Sequence, residues 1–451
     1  MRETNKGVYK KNLMEKKELN IINSKINKLV EDFCGVKFKV SKFIPGKTLI
    51  PCTGKVIDSS EIKNMISASM DGWLTTGRFN TDFQNKLAKY LNVKKLITVN
   101  SGSSANLIAF SSLTSHLHKE KAIKSGDEVI TVAAAFPTTV NPIIQNGAIP
   151  VFVDVKIPTY NIDEELIEEA ITKKTKAIMI AHALGNPFNL EKIVKICKKY
   201  DLWLIEDNCD ALGSKYKGKN TGTFGDVATL SFYPAHHITM GEGGAVFTNN
   251  LRIKRAAETF RDWGRDCYCE PGLENTCKKR FGWKLGELPF GYDHKYIFSH
   301  IGFNMKITDM QAACGLAQID KLDQFIKKRK ENFSFLKKNL ASLQEDLILP
   351  KEEPDSEPSW FGFPISLTKN CKVSRKEVIK KLYENKIGTR LLFSGNLTKQ
   401  PAYLNRNFKI SGNLKNTDYI MSNTFWVGVY PGLGEDELSF ITKVIKSSLS
   451  K

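Results

Sequence analysis

A chain of 451 residues, 41% hydrophobic and 25% charged, is long enough for two domains with a sizeable core and has the balance of a soluble globular protein. Its formal charge of +19 comes from lysines spread along the whole length, which argues against nucleic-acid binding and for an anionic, phosphate-bearing substrate. No apolar run approaches the roughly 20 residues of a membrane span and no signal core follows the first residues, so a cytoplasmic location is expected.

In chain order, residues 10–33 alternate basic and apolar groups at helical spacing and predict an amphipathic helix, covering the chain's own small domain or docking on a partner. Short apolar runs then follow at 96–99, 128–132, 149–153, 177–180, 202–205 and 227–230, with helical stretches such as 164–172 and 190–199 between several of them. This alternation predicts an α/β fold built on a mostly parallel sheet covered on both faces, with ligands gathering at the carboxyl ends of the strands. A charged helix at 320–339 is expected to lead to a smaller C-terminal α+β domain that begins near Trp360. The expected division is a helical segment at 1–60 packing on the small domain, a large domain at 61–320 and the small domain at 321–451.

Several short motifs carry chemistry. Residues 100–106, with Gly102 and Ser103, follow the 96–99 run and open a helix, where free N–H groups and small side chains make a phosphate cup; a plain turn has the same look. Asp207 ends the 202–205 run, where a buried carboxylate can hold a proton on a pyridine nitrogen or simply cap the next helix. Ser231 can add a phosphate contact, and His236 follows five residues later beside a second histidine, His237.

Five of the nine cysteines, Cys34, Cys52, Cys197, Cys314 and Cys371, stand alone and read as packed thiols. The other four, Cys209, Cys267, Cys269 and Cys277, suit an iron-sulfur cluster or a structural zinc, and the one-residue gap between Cys267 and Cys269 leans away from zinc. Cys209 lies two residues after Asp207, a span of at most roughly 7 Å, so a metal bound there would sit close to a ring held by Asp207.

The phosphate cup, the Asp207 strand, residues 231–244 and residues 302–312 together resemble the DegT/DnrJ/EryC1/StrS sugar aminotransferase and dehydratase family, from about 44–46 to 430–432. The resemblance implies an aspartate aminotransferase fold (pyridoxal phosphate fold type I). It puts His236 where the aminotransferases carry their Schiff-base lysine, as in the 3-dehydratases of nucleotide-linked 4-keto-6-deoxy sugars. Histidine forms no stable covalent link to the cofactor, so pyridoxamine 5'-phosphate would be held non-covalently, with His236 as base; His237 is the rival for that role.

The same resemblance assigns Gly102, Ser103 and Ser231 to the phosphate, Phe136 to stacking on the ring, Asp207 to the ring nitrogen and Asp210 to the phenolic oxygen side. It makes Asn304 a phosphate ligand donated across a homodimer. Arg261, Arg390 and Asn396 fall in segments that shape the sugar-nucleotide pocket. The cysteine spacing matches the [2Fe-2S] ligands of CDP-4-keto-6-deoxyglucose 3-dehydrases, which implies electron delivery from an NAD(P)H-dependent flavin iron-sulfur reductase and a 3,6-dideoxy product. A dTDP-linked 4-keto-2,6-dideoxy substrate stays open. A sugar aminotransferase would need lysine at 236, and a silent cofactor-binding regulator would have no use for four spaced thiols.

Overall fold

The structure is a computed structural model that describes residues 2–39, 42–269 and 271–450, with side chains from residue 16 onward. Its main sheet has eight strands in the spatial order Lys95–Val99, Gly244–Thr248, Val227–Ser231, Trp203–Asp207, Thr175–Ala181, Glu128–Val132, Ile149–Val153 and Lys409–Ile410. Only Gly244–Thr248 runs against its neighbours. All six strands expected from the sequence are present. Gly244–Thr248 was not expected, because the glycines before it draw attention to the turn rather than to the alternation that follows.

The central strands are apolar on both faces because helices cover both. Val129, Ile130, Phe152, Ile178 and Ile205 are buried, and every residue of Trp203–Asp207 is buried. Fully enclosed parallel strands leave polar chemistry to their ends, which is where Asp207 and Ser231 stand. The 190–199 stretch forms the helix Leu190–Lys199, capped by Asn189. The 164–172 stretch forms only a 3-10 turn, Glu164–Leu166, and a single helical turn, Ile167–Ala170.

Helix Leu322–Leu340 leads to a four-stranded antiparallel sheet ordered Leu347–Ile348, Gly362–Leu367, Thr424–Gly428 and Thr389–Leu391. This second sheet has its own core around Phe363, Ile365, Phe425 and Val427. At the other end of the chain, helix Arg2–Lys37 packs on helix Ser59–Met70, helped by an ion pair between Glu31 and Lys63. The side chains of 10–15, part of the amphipathic pattern, lie outside the described residues. The stretch after that helix reaches the second sheet, where Phe43 meets Phe440 edge-on and Ile50 bridges Ile387.

Two histidines are built into the fold in neutral form. Burial, with the Arg329 charge behind it, holds His237 well below its ordinary value. Burial and the stacked His116 bring His300 down to about 4, with its Nε2 2.8 Å from Ser115 Oγ. The unfolded chain takes up protons at both rings below about pH 6.5 that the folded chain refuses, so stability is complete above that pH and is lost as pH falls. Thermal unfolding should therefore show a melting temperature that declines from about pH 6.5 toward pH 4, with a shallower decline in His300→Gln.

Candidate active site

A cavity of about 1010 Å³ opens at the carboxyl ends of the central strands and is lined by Gly102, Ser103, Phe136, Asp207, Cys209, Asp210, Ser231, His236 and Arg390 among others. Helix Gly102–Leu113 points its first turn at it, with Ser101 capping by accepting a bond from Ser104 N–H. A Cβ on Gly102 would lie 2.4 Å from Ser231 Cβ, so only glycine lets the helix end come this close to Ser231. The result is a recess bounded by backbone N–H groups, the partial positive charge of the helix and a serine hydroxyl.

Behind it, Asp207 is 5% exposed and heavily braced. Its Oδ2 accepts from Asn106 Nδ2 at 2.8 Å and from Thr139 Oγ1 at 2.7 Å. Its Oδ1 accepts two longer bonds, from Cys209 N–H at 3.2 Å and Thr229 Oγ1 at 3.5 Å, and is the oxygen less tightly held against a further donor from the cavity. Asn106 is in turn fixed by Thr229 Oγ1, which donates to its Oδ1 at 2.7 Å. Asn106 and Thr139 were missed in the sequence; Asn106 is four residues after Gly102 and so shares its helix face, which was the available signal.

His236 lines the same cavity, and its Nδ1 lies 3.4 Å from Asp210 Oδ1, an ion-pair distance without hydrogen-bond alignment. Burial pushes the Asp210 carboxyl up, and the contact with His236 opposes it. Asp210, expected on the phenolic side of a ring, is thus a partner of the imidazole and leaves the opposite nitrogen, Nε2, free for chemistry. Phe361 packs on the imidazole with ring centres 5.1 Å apart. His237 is spent elsewhere: it is 2% exposed, and its Nε2 is 2.8 Å from Ser359 O. Phe136 is half exposed in the cavity, edge-on to Phe393 at 5.9 Å, with a free face.

Three expected residues stand apart from this chain's cavity. Arg261 grips Asp262 through Nε and Nη2 at 2.8 and 2.9 Å, donates from Nη1 to Thr98 O at 3.3 Å and lines a second cleft. Asn396 is buried, donates to Asp418 and caps the turn at Leu397–Lys399. Neither residue lines the central cavity of this chain. Asn304 is exposed beside Ile301, itself 94% exposed, and accepts a bond from Lys306 Nζ at 2.8 Å. Arg390, on Thr389–Leu391, does line the cavity.

The four spaced cysteines occupy two places. Cys209 packs in the cavity wall against Thr229, and burial together with Asp207 pushes its thiol well above the ordinary value. Cys267, Cys269 and Cys277 lie on the irregular stretch after helix Leu251–Arg261, where Cys269 Sγ meets Thr276 Oγ1 at 3.0 Å. Among the described residues no three histidine, cysteine or carboxylate groups are arranged to hold a metal. The separation has a physical reason, since Cys209 is tied to the sheet and the other three to a loop that no strand or long helix anchors. Cys267, Cys269 and Cys277 are neighbours on that loop, and Cys209 belongs to the cavity wall.

The cavity does fit pyridoxal or pyridoxamine phosphate. The Gly102–Ser103 turn and Ser231 suit the phosphate, Phe136 the ring face and Asp207 Oδ1 the ring nitrogen; no lysine lines it. The profile of the DegT/DnrJ/EryC1/StrS aminotransferase family matches residues 55–446.

The chain belongs to that family.

It is 58% identical over 422 residues, 94% of this chain and 97% of the other, to the lipopolysaccharide biosynthesis protein RfbH of Salmonella typhimurium. It is 48% identical over 409 residues, 91% of this chain and 88% of the other, to the dTDP-4-dehydro-2,6-dideoxy-D-glucose 3-dehydratase of Saccharopolyspora spinosa. The solved structure of E. coli GDP-4-keto-6-deoxy-D-mannose-3-dehydratase with bound hydrated PLP superposes with a TM-score of 0.79 at 30% identity, over 88% of this chain and 100% of that one. The fold is therefore that of the pyridoxal-phosphate-dependent aminotransferases, with a large, mostly parallel sheet.

Gly102→Ala tests the phosphate recess directly. Its methyl group would push Ser231 away, and pyridoxal phosphate affinity, followed by absorbance titration, should fall about tenfold or more while the melting temperature of the cofactor-free protein changes little.

Proposed function

We propose that this chain dehydrates a nucleotide-linked 4-keto-6-deoxyhexose at C3, with pyridoxamine 5'-phosphate held non-covalently and His236 as the base. The observation that carries the reading is an imidazole, with its Nδ1 turned to a carboxylate, in a cofactor cavity that no lysine lines. When bound, the cofactor supplies an amine for the sugar's C4 ketone and a ring that accepts electrons.

The protein's part follows from its side chains. Asp207 Oδ1 holds the proton on the ring nitrogen and so keeps the ring electron-poor. His236 Nε2 takes the proton from the cofactor's C4', and Asp210 stabilises the imidazolium that results. The same imidazolium is placed to return a proton to the departing C3 hydroxyl, so that water leaves and the base is regenerated. Phe136 offers a ring face to the cofactor, Phe361 packs on the imidazole, and Arg390 offers its guanidinium to the diphosphate.

For the substrate we favour CDP-4-keto-6-deoxyglucose, supported by the lipopolysaccharide assignment of the 58% relative. A dTDP-linked 4-keto-2,6-dideoxy sugar is the second reading, supported by the 48% relative. A homodimer that donates Asn304 across its interface is part of the proposal, supported by the exposed Phe290, Phe298 and Ile301 nearby. So is a [2Fe-2S] cluster on Cys209, Cys267, Cys269 and Cys277, fed by a flavin iron-sulfur reductase. It rests on cysteine spacing and on the place of Cys209 beside Asp207. No step is assigned to it, because the four thiols are not assembled in this fold. No described helix is long and apolar enough to cross a membrane, in keeping with a cytoplasmic enzyme.

Incubation with pyridoxamine phosphate and each 4-keto sugar in ¹⁸O-labelled water should exchange the C3 oxygen with the CDP sugar; exchange with the dTDP sugar alone would reassign the nucleotide. His236→Asn should bind cofactor with unchanged affinity and lose C4' proton exchange by roughly 10²-fold or more. After anaerobic purification, about two iron and two sulfide per chain are expected, and zinc in their place would remove the redox part of the proposal.

A further inference from the structure

Helix Leu322–Leu340 carries a guanidinium into the protein interior. Arg329 is 0% exposed, and no carboxylate of the described residues stands within ion-pair reach of it. Its partners are backbone carbonyls: Nη1 donates to Trp360 O and Phe361 O at 3.2 Å each, and Nη2 donates to His236 O at 3.2 Å and Ala235 O at 3.5 Å. Its Nε has no partner. The charged and titratable groups it feels are Asp210 and His237, with His236 and Asp207 next beyond them.

A buried cation hydrogen-bonded only to carbonyls, with Asp210 as the carboxylate that attracts it, is costly, and a neutral side chain would close the same gap between segments more cheaply. What the planar, forked guanidinium adds is direction, since it holds several acceptors at fixed mutual angles. Those acceptors belong to the two segments that enclose the imidazole. One is the carbonyl of His236 itself; another is that of Phe361, whose ring lies against the His236 ring. The His236 loop is pinned on either side of the histidine, by Phe232 N–H to Gly243 O and Met240 N–H to Phe232 O at 2.9 Å each and by His237 Nε2 at Ser359 O, and Arg329 adds the tie at 235–236 itself. The loop contains neither helix nor strand between Ser231 and Gly244, and its own local bond near the histidine is His236 N–H to Tyr233 O at 2.9 Å.

We propose that Arg329 is a positioning residue for His236: by clamping the 235–236 backbone to that of 360–361, it sets the imidazole against Phe361 and toward the cofactor cavity. The proposal rests on His236 being the base. Because Arg329 sits on the helix that joins the two sheets, it also ties the base to the seam between them. A small displacement of that seam is transmitted to the histidine rather than absorbed by the loop.

The test compares wild type, Arg329→Ala and Arg329→Lys in the full chain. In the cofactor-free protein, the His236 ring signal in histidine-labelled NMR, assigned by its loss in His236→Asn, should move away from the ring-current position imposed by Phe361 in Arg329→Ala. With cofactor and substrate, kcat for C4' proton exchange should fall by about 10²-fold while KM and cofactor affinity stay within about threefold. Guanidinium ion at non-denaturing concentration should restore part of kcat in Arg329→Ala. Arg329→Lys, which keeps a donor but not the fork, should stay well below wild type and serves as the variant of choice if the alanine form folds poorly. An unmoved ring signal with kcat within about twofold of wild type overturns the proposal, as does guanidinium that restores thermal stability without kcat. If His236→Asn keeps full exchange, the base assignment fails instead, and the ring signal still reports whether Arg329 sets the imidazole.

Discussion

The carboxylate of Asp207 is the point on which the site depends. It closes the end of a fully buried central strand, and its oxygens accept bonds from Asn106 on one helix, Thr139 on another and the backbone of Cys209. A buried carboxylate is unfavourable unless its lone pairs are met, so the helices that deliver Asn106 and Thr139 are held in register with the strand by that requirement. The same register places Gly102 against Ser231, and the phosphate recess follows. Cofactor recognition in this fold is thus a by-product of satisfying one acid at the sheet's edge.

On that frame the proposed base at 236 makes demands of its own, and they reach outward. A lysine amine at 236 would be long and flexible and would be fixed by its bond to the cofactor. An imidazole is short, forms no such bond and has to be aimed by the protein. Its surroundings are built for aiming: Asp210 at Nδ1, Phe361 on the ring face and Arg329 on its own carbonyl. The histidine that keeps no such company, His237, has its Nε2 at the Ser359 carbonyl and is held neutral by burial. Two adjacent residues of one type are thereby given opposite duties by which way the loop turns them.

Much of this was legible in the sequence, and the reasons for the gaps differ. Apolar runs of five residues flanked by turns announce buried strands, and the six expected strands stand in the sheet. Gly102, Asp207 and Ser231 could be named because each sits at a strand end or helix start, where backbone geometry narrows what a residue can do, and His236 because residues 231–244 resemble the family's stretch. Asn106, Thr139 and Arg329 could not, since their roles depend on partners 101, 68 and about 93 positions away in the chain. Arg261 and Asn396 lie outside the central cavity for a related reason. Residue type suggested a ligand contact, but Asp262 and Asp418 had already claimed their donors. A polar residue's nearest competitor for its hydrogen bonds is invisible until the fold is known.

The cysteines pose the sharpest contrast between spacing and placement. Cys209 shares a wall with the acid that would bind the cofactor's ring nitrogen, and desolvation with the neighbouring Asp207 charge keeps it a thiol. A thiolate there needs a cation beside it, because burial and Asp207 both oppose the negative charge. Cys267, Cys269 and Cys277 ride on a segment whose regular structure is limited to the turn His294–Tyr296 and which is steadied by surface pairs such as Arg280 with Asp293. Surface pairs of this kind contribute little, roughly 0–1 kcal/mol each, so the loop can be redrawn at small cost. A metal that bridged loop and sheet would supply both missing terms at once, the counter-charge for Cys209 and the anchor for the loop.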